Sequence, residues 1–373
     1  MKTLTFCIPT LFGLEGICAN ELRKLGYENV RTLDRRVFCT GTLADVPKLN
    51  YALRTGERVR IVLDEFYAGT FDAVFETVKR LPLADFIPRD GQFPVAGHSL
   101  DSAITSVPAL QRSIKKAAAD NLAQAYGVNT LPETGGLYQL EFMILKDNCT
   151  LMLDTTGQGL HKRGYRANAM EAPLRETLAA AMVILSGYRG RDMLLDPFCG
   201  SGTIPIEAAM IAKNRAPGLL RHFSAEQFPY IPKKLWLAAK EELRAKEFER
   251  RYPIIGADID PAAVRLAQDN ARKAGVDDTI TFSQKDVSKH SFDVDYGKLV
   301  TNPPYGERML EQEEAAVVTK KLGDMYRSLP KTWSGYVISS HEGFEAAFGR
   351  GADKKRKLYN GRLKCELFMF DKK

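Results

Sequence analysis

Residues 302–305 read Asn-Pro-Pro-Tyr and follow an apolar segment that is typical of a β-strand. Two consecutive prolines favour a stiff, extended loop, because each ring fixes φ and removes a backbone donor. Such a loop can present the Asn302 amide oxygen and the Pro303 carbonyl oxygen as fixed acceptors. Two acceptors suit an exocyclic amino group, whose lone pair they localise, and Tyr305 offers a ring for stacking an extruded base. Asn302, Pro303, Pro304 and Tyr305 are therefore the predicted catalytic set.

Residues 194–203, Leu-Leu-Asp-Pro-Phe-Cys-Gly-Ser-Gly-Thr, lead from an apolar strand through a Gly-x-Gly turn into a helix. The glycines let the backbone approach a ligand, and the amino end of the helix favours an anionic group. A dinucleotide fold would want a third glycine, but position 205 is Pro205, and a ribose-binding acid about 20 residues further on is also missing. Hydride transfer with a nicotinamide cofactor is thus disfavoured, while a tight turn without a ligand stays open as an alternative.

Acidic residues follow two further apolar segments of the same half of the chain. Asp258 ends the predicted strand 254–258, and open α/β sheets bind ligands at the carboxyl ends of their strands. Its carboxylate could accept both hydroxyl protons of a ribose. Asp260 precedes Pro261 at a helix start, which favours an N-cap over a ligand. Asp286 follows the next strand and is interpreted either as a ligand or as a loop acid.

The elements that must position these residues alternate regularly from residue 172 onwards. The sequence predicts strands at 193–196, 254–258, 280–282, 298–301 and 336–340, and helices beginning near 173 and covering 203–213, 233–251, 261–274 and 313–329. Strands separated by helices indicate a parallel sheet that is covered on both faces. The first third is mixed α+β, with predicted helices at 14–25, 44–53, 71–80 and 108–126. Residues 157–170 carry basic groups among glycines, which predicts an exposed linker or basic loop.

Composition sets the outer limits. The 373 residues exceed the roughly 250–300 at which a single core stops growing, so two or three domains are expected. No apolar run approaches the roughly 18 residues of a membrane span, and the amino terminus lacks a signal-peptide layout, which predicts a soluble cytoplasmic protein without a membrane partner. Six scattered cysteines favour buried thiols over a metal site or disulfides. A net charge of +7 hints at an acidic partner.

Taken together, these motifs resemble class I S-adenosylmethionine-dependent methyltransferases that act on base amino groups. More narrowly, the chain is similar to THUMP-domain RNA methyltransferases of the RlmL/YpsC-like group, which methylate guanine N2 in 23S rRNA. The resemblance also rests on flanking segments, namely residues 160–166, 171–180, 206–209, 216–218 and 357–363. It implies a Rossmann-like, doubly wound, mostly parallel methyltransferase domain at 171–373. Ahead of it the resemblance implies a ferredoxin-like segment at 1–55, a THUMP domain at 56–156 and a linker at 157–170.

The resemblance also implies a role for each matching residue. The loop 196–202 would lie against the methionine part of S-adenosyl-L-methionine, Asp258 would hold the ribose, Ile259 would pack on the adenine and Asp286 would bind the adenine amino group. The full set implied for the cofactor is Pro173, Leu174, Thr177, Asp196, Phe198, Gly200, Ser201, Gly202, Thr203, Asp258, Ile259 and Asp286. A sulfonium methyl group needs no metal, only in-line geometry with the amino nitrogen.

Basic residues at two places are predicted to contact RNA phosphates. Arg112, Lys115 and Lys116 lie near the start of a helix, where positive charge opposes the helix dipole unless an anion binds there. Lys162, Arg163 and Arg166 lie in the segment between the two halves.

The predicted activity is methyl transfer to guanine N2 of RNA, and the favoured substrate is 23S rRNA or a large-subunit precursor. The alternatives are an adenine-N6 methyltransferase on RNA or DNA and a non-catalytic RNA-binding ribosome assembly factor.

Overall fold

The computed structural model describes residues 3–166, 174–305, 309–361 and 363–371, and two seven-stranded sheets form its framework. The first sheet has the order β2-β3-β1-β4-β7-β6-β5, and β1 pairs antiparallel with β4, Phe6 opposite Ile61. One continuous sheet therefore joins the two predicted amino-terminal units. Its elements are β1 Leu4–Pro9, α1 Glu15–Lys24, β2 Arg31–Leu33, β3 Arg36–Gly41, α2 Asp45–Ala52, β4 Arg60–Tyr67, α3 Phe71–Arg80, β5 Val95–Leu100, α4 Val107–Tyr126, β6 Leu140–Leu145 and β7 Asn148–Asp154.

The second sheet has the order β10-β9-β8-β11-β12-β14-β13, with five parallel strands followed by an antiparallel pair at one edge. Its elements are α5 Glu176–Leu185, β8 Met193–Asp196, α6 Thr203–Ala212, α7 Lys233–Arg244, β9 Ile254–Asp258, α8 Pro261–Ala274, β10 Ile280–Gln284, β11 Gly297–Thr301, α9 Met309–Ser328, β12 Ser334–Ser339, α10 Phe344–Phe348, β13 Lys354–Asn360 and β14 Leu363–Phe370. The predicted doubly wound, mostly parallel α/β architecture is confirmed.

The strand order reverses at β8, which has β9 on one side and β11 on the other. The crossovers that leave β8 and β11 therefore diverge to opposite faces, and a crevice opens at the carboxyl ends of these strands. Asp260 begins α8 as predicted, because its side chain accepts a hydrogen bond from the amide of Ala262 at 2.8 Å. The fold thus brings the strand-end loops that the sequence singled out to one edge.

The junction between the two halves is not an exposed linker, so that expectation is wrong for its described part. Leu160, Arg163 and Tyr165 are all buried. The insert between α6 and β9 also packs on the amino-terminal half, where Phe223 and Trp236 stack at 5.6 Å and both meet the ring of Tyr51 edge-on. Apolar burial of this kind makes the two halves one packed unit.

Four smaller findings complete this description of the fold. The basic segment 354–357 is part of the edge strand β13, with Leu358 opposite Cys365. All six cysteines are buried and free, as predicted. Within the described ranges, no helix is both long and apolar enough to cross a membrane. In the same part of the chain, no cluster of three or more His, Cys, Asp or Glu side chains could hold a metal ion.

Candidate functional site

A cleft of about 480 Å³ lies at the carboxyl ends of β8, β9 and β11. It brings together most of the residues that the sequence analysis selected: its lining comprises Leu174, Asp196, Phe198, Cys199, Gly200, Ser201, Thr203, Ile204, Asp258, Ile259, Asn302, Pro303, Pro304, Tyr305 and Val318. A second cavity, of about 580 Å³, lies between α1, α2 and α7 and contains none of these strand-end residues. The strand-end cleft is therefore the candidate site.

The glycine loop has a conformation that only small residues tolerate. Gly200 and Gly202 have φ values of +50° and +84°, in the left-handed region. A Cβ on Gly202 would lie 3.0 Å from the Cβ of Ala267, so α8 packs directly against the loop. Asn270, which is fully buried on α8, donates from Nδ2 to the carbonyl of Ser201 at 2.9 Å. The sequence analysis missed Asn270, although a polar residue at a core position of a helix is a usable signal.

Asp196 is the buried acid of the site. Its Oδ1 accepts hydrogen bonds from the Thr301 hydroxyl at 2.6 Å and from the Phe198 amide at 3.2 Å. Burial raises the pKa of Asp196 to about 7, and the carboxylate of Asp258 adds to this, although the two hydrogen bonds partly offset the increase. Thr301 thereby links the glycine loop to the strand that precedes Asn302.

The raised pKa predicts a stability effect for Asp196→Asn. The ordinary pKa of 3.8 applies in the unfolded chain, so between these two pKa values the folded protein holds a proton that the unfolded chain releases, and stability falls as the pH rises from 3.8 to about 7. The amide avoids the buried charge and still accepts both hydrogen bonds. We expect D196N to melt roughly 2–6 °C above the wild type at pH 8 without ligand, the difference shrinking towards pH 5. Thermal unfolding across this range measures it.

A matched control for this experiment is Asp277→Asn, because Asp277 is exposed at the start of a short 3₁₀ turn. We expect its melting temperature to follow that of the wild type across the same pH range. A melting curve for D196N that kept the wild-type pH dependence would contradict the role of the Asp196 carboxyl group.

Asp258 closes the glycine loop from the neighbouring strand. Its Oδ2 accepts from the Gly200 amide at 3.0 Å and its Oδ1 accepts from the Asp260 amide at 3.0 Å. Each carboxylate oxygen has further acceptor capacity, so Asp258 can also receive hydroxyl protons from a ligand. Ile259 follows at the rim with 66% of its surface exposed. A large apolar side chain exposed beside a polar cleft suits the flat face of an aromatic ring.

The loop 302–305 forms the opposite wall of the cleft. Pro303 is buried and Pro304 is exposed, so the loop is anchored at one proline and open to solvent at the other. The Tyr305 hydroxyl donates to the Asn302 Oδ1. Burial raises the pKa of Tyr305, which keeps this hydroxyl protonated as a donor. The Asn302 amide is therefore held in one orientation, with a second lone pair of its oxygen available.

Four residues of the predicted cofactor set need separate mention. Pro173 lies outside the described residues. Thr177 is fully buried and donates to the Glu57 Oε1 at 2.6 Å, away from the cleft lining. Asp286 is also outside the lining, and its carboxylate accepts hydrogen bonds from the Ser288 amide and hydroxyl. These two bonds hold the pKa of Asp286 below its ordinary range, and the Lys321 ammonium lies 3.5 Å away. Gly202 is likewise outside the lining, and it packs against Ala267 of α8.

Glu57 links the first sheet to the start of α5 and was missed by the sequence analysis. Besides Thr177, its carboxylate contacts Arg175 and His161, each at 3.2 Å. It therefore fixes the residues beside Leu174, which lines the cleft. No local motif marks Glu57, because its partners lie more than a hundred residues away.

The basic residues predicted to contact RNA fall into two groups. Arg112, Lys116 and Lys162 are exposed, Lys116 pairing with Asp120 at 2.6 Å, and Lys115 is half-buried against Glu133 at 2.5 Å. Arg163 corrects the expectation. It is enclosed, and its guanidinium contacts Glu207 and three backbone carbonyls.

Arg166 lies between these two groups. Its guanidinium donates to the Thr203 hydroxyl and to the Leu174 carbonyl, and it lies 3.5 Å from Glu176. Arg166 therefore supports the wall of the cleft, and only 11% of its side chain is exposed.

Family models match three consecutive parts of the chain. Residues 5–60 match the RlmL ferredoxin-like domain, residues 68–154 match the THUMP domain, and residues 163–368 match the model described as RMKL-like, methyltransferase domain. The last of these covers more than half of the chain.

Individual relatives agree with these models. YpsC from Bacillus subtilis (strain 168) is 41% identical over 99% of this chain and 96% of its own length. Ribosomal RNA large subunit methyltransferase K/L from Hahella chejuensis is 32% identical over 96% of this chain, which spans only 52% of that relative.

Two solved structures are similar over nearly the whole chain. The methyltransferase SMU.472, complexed with SAH, has a TM-score of 0.93 and 37% identity, covering 100% of this chain and 99% of that one. A Listeria monocytogenes protein described as a "predicted N6-adenine-specific DNA methylase" has a TM-score of 0.94 and 42% identity, covering 99% and 96%. This chain belongs to the RMKL-like methyltransferase family, with a ferredoxin-like and a THUMP domain ahead of its methyltransferase domain.

Proposed function

We propose that this protein transfers the methyl group of S-adenosyl-L-methionine to the exocyclic N2 of a guanine in RNA, with 23S rRNA or its precursor as the substrate. The observation that carries this proposal is the position of Asn302 and Pro303 in the same cleft as the glycine loop and Asp258. A base amino group held by the first pair would face a cofactor held by the second group.

The cleft residues fit this cofactor by their chemistry. The carboxylate of Asp258 has acceptor capacity for the two ribose hydroxyls, and Ile259 offers an exposed apolar surface for the adenine. A Cβ on Gly200 would meet no protein atom within 4 Å, so the loop faces open space at this point. Asp196 and the loop that follows it, with Leu174 and Thr203, would enclose the methionine part. When bound, the cofactor supplies an electrophilic methyl group.

The chain's own residues would hold and orient the base. The Asn302 Oδ1 and the Pro303 carbonyl would accept the two N–H bonds of the amino group, which aims its lone pair away from both acceptors. Tyr305 fixes the Asn302 amide through its hydroxyl, and its ring borders the cleft where the base would lie. Positioning of this kind contributes roughly 7–11 kcal/mol to such reactions, without a metal or a covalent intermediate.

The assignment of RNA as substrate draws support from the matched THUMP domain and from the names of the K/L relatives. Arg112, Lys116 and Lys162 are candidate phosphate contacts, because each is exposed. Lys115 could contribute if a phosphate displaced it from Glu133.

A second candidate function is adenine-N6 methylation, because the geometry of the loop 302–305 serves either amine. The description of the Listeria protein favours it. Nucleoside mass spectrometry of rRNA from a deletion strain separates the two: loss of one N2-methylguanosine, restored by the plasmid-borne gene, is the expected result. Loss of an N6-methyladenosine would instead support the second candidate function. An unchanged rRNA would contradict 23S rRNA as the substrate, and no change in any RNA or DNA would favour a non-catalytic role.

A further inference from the structure

The loop between β1 and α1 packs against the edge hairpin of the second sheet. The ring of Phe12 meets the ring of Tyr359 on β13 edge-on, with centroids 5.9 Å apart. Gly13 has a φ of +86°, and a Cβ there would lie 3.0 Å from the Lys357 carbonyl oxygen. Two segments almost 350 residues apart in the chain therefore form one small surface, which we call the Phe12–Tyr359 surface.

Two cationic side chains lie over these rings. The guanidinium of Arg35 and the ammonium of Lys357 are each 5.8 Å from the centroid of Phe12, and Lys357 is also 5.5 Å from that of Tyr359. Both cations are exposed, and within the described ranges neither has a carboxylate oxygen within 4 Å. Phe12 is itself 36% exposed. Rings with unpaired cations beside them match a π-stacking group that carries negative charge.

The Phe12–Tyr359 surface adjoins the loop that would hold the target base. Leu358, next to Tyr359, is buried with Leu14 and lies opposite Cys365 in the hairpin register. Tyr305 packs on this same cluster, and its hydroxyl interacts with the thiol of Cys365. Leu358 and Cys365 thus connect the surface with Tyr305, which lines the cleft.

We propose that the Phe12–Tyr359 surface binds the unpaired nucleotides that flank the target base, with bases against the rings and phosphates at Arg35 and Lys357. This proposal deepens the proposed function and rests on it for the identity of the target. Extruding a base exposes its neighbours, and single-stranded nucleic acid is bound by aromatic rings together with cations. An acidic protein segment would satisfy the cations but would leave the exposed rings without a flat partner.

The test uses the full chain and a labelled oligoribonucleotide of about 12 nucleotides in CAA repeats, which cannot form a duplex. Fluorescence anisotropy gives its Kd for the wild type, Phe12→Leu, Tyr359→Leu and the double variant. Phe248→Leu is the matched control, since Phe248 is 57% exposed in the insert, away from this surface. We expect F12L and Y359L each to raise Kd about fivefold or more, because the stacking of one base on an aromatic ring contributes at least that factor to binding. F248L should leave Kd unchanged.

The cations have their own readout. We expect Arg35→Gln and Lys357→Gln each to reduce the slope of log Kd against log salt by about 0.7, the value for one phosphate on a single strand. Lys331→Gln, at an exposed position elsewhere, is the control. Equal binding by F12L, Y359L and wild type would overturn the proposal, as would an equal loss in F248L.

Binding is measured without methyl transfer, so the two proposals fail separately. If the wild type methylates 23S rRNA while F12L and Y359L bind RNA normally, the proposed function is supported and the proposed binding surface is contradicted. If the wild type binds RNA through these rings but methylates no guanine, the binding surface is supported and the proposed function is contradicted. Unchanged melting temperatures and unchanged cofactor affinity in every variant show that folding is intact.

Discussion

Asn302→Ala is expected to lower kcat for methyl transfer by about 10²–10³-fold or more, with little change in the affinity for RNA or for the cofactor. The alanine removes the side-chain acceptor of the amino group and the acceptor of the Tyr305 hydroxyl. The Asp196 and Asp258 contacts with the glycine loop are untouched, because Asn302 contributes to none of them. Single-turnover methylation of guanine-containing RNA with radiolabelled cofactor measures the effect, alongside Kd for each ligand.

Two variants sharpen the result. Tyr305→Phe keeps the ring but removes the donor that orients the Asn302 amide, so we expect a smaller loss of kcat than in N302A. Asn20→Ala, at an exposed position on α1, serves as the matched control and should retain full activity. If N302A kept its rate, or if its loss were a loss of RNA affinity alone, the loop 302–305 would not hold the amino group.

Much of the second sheet could be predicted because its signals are local. The strand Met193–Asp196, the strand Ile254–Asp258 and the helix Pro261–Ala274 have the bounds that their apolar runs, glycines and proline indicate. Parallel strands place their loops at one edge, so the proximity of Asp196, Asp258 and Asn302 follows from topology alone.

What the sequence did not predict depends on contacts between distant segments. Strand β5 was missed, because Gly97 and His98 interrupt its pattern and it is stabilised by pairing with β6 at an edge. The partners of Glu57 and the packing of Trp236 on Tyr51 likewise become visible only when both halves are folded together. The positive charge of the junction 157–166 suggested a solvent-exposed segment, but charge alone does not distinguish a phosphate contact from a buried ion pair.

Arg163 illustrates this distinction most clearly. Its Nε lies 3.1 Å from the Glu207 Oε1, and the two side chains are 1% and 0% exposed. The same guanidinium donates to the carbonyls of Leu160 at 3.0 Å and Arg54 at 2.6 Å. One arginine therefore ties α6 of the methyltransferase domain to the end of α2 and to the junction. Glu207 has no solvent to replace this partner.

Arg163→Met should consequently be among the most damaging single substitutions outside the cleft. Removing one partner of a buried pair leaves the other charge uncompensated, which costs about 3–5 kcal/mol, or roughly 6–10 °C in Tm. The double variant Arg163→Met/Glu207→Leu removes both charges, so we expect it to recover most of the loss. Thermal unfolding of wild type, both single variants and the double variant measures the coupling.

The pH dependence adds an independent check. Burial raises the pKa of Glu207, and Arg163 is the largest influence that lowers it, followed by Arg54. The loss of Arg163 should raise this pKa further, so a lower pH should favour the neutral form of Glu207 and reduce the instability of R163M. If Arg163 contacted RNA instead, R163M would melt like the wild type and bind RNA more weakly. Because the guanidinium is enclosed by protein acceptors, we expect R163M to lose stability. The fraction of R163M that remains folded should bind RNA with the wild-type affinity.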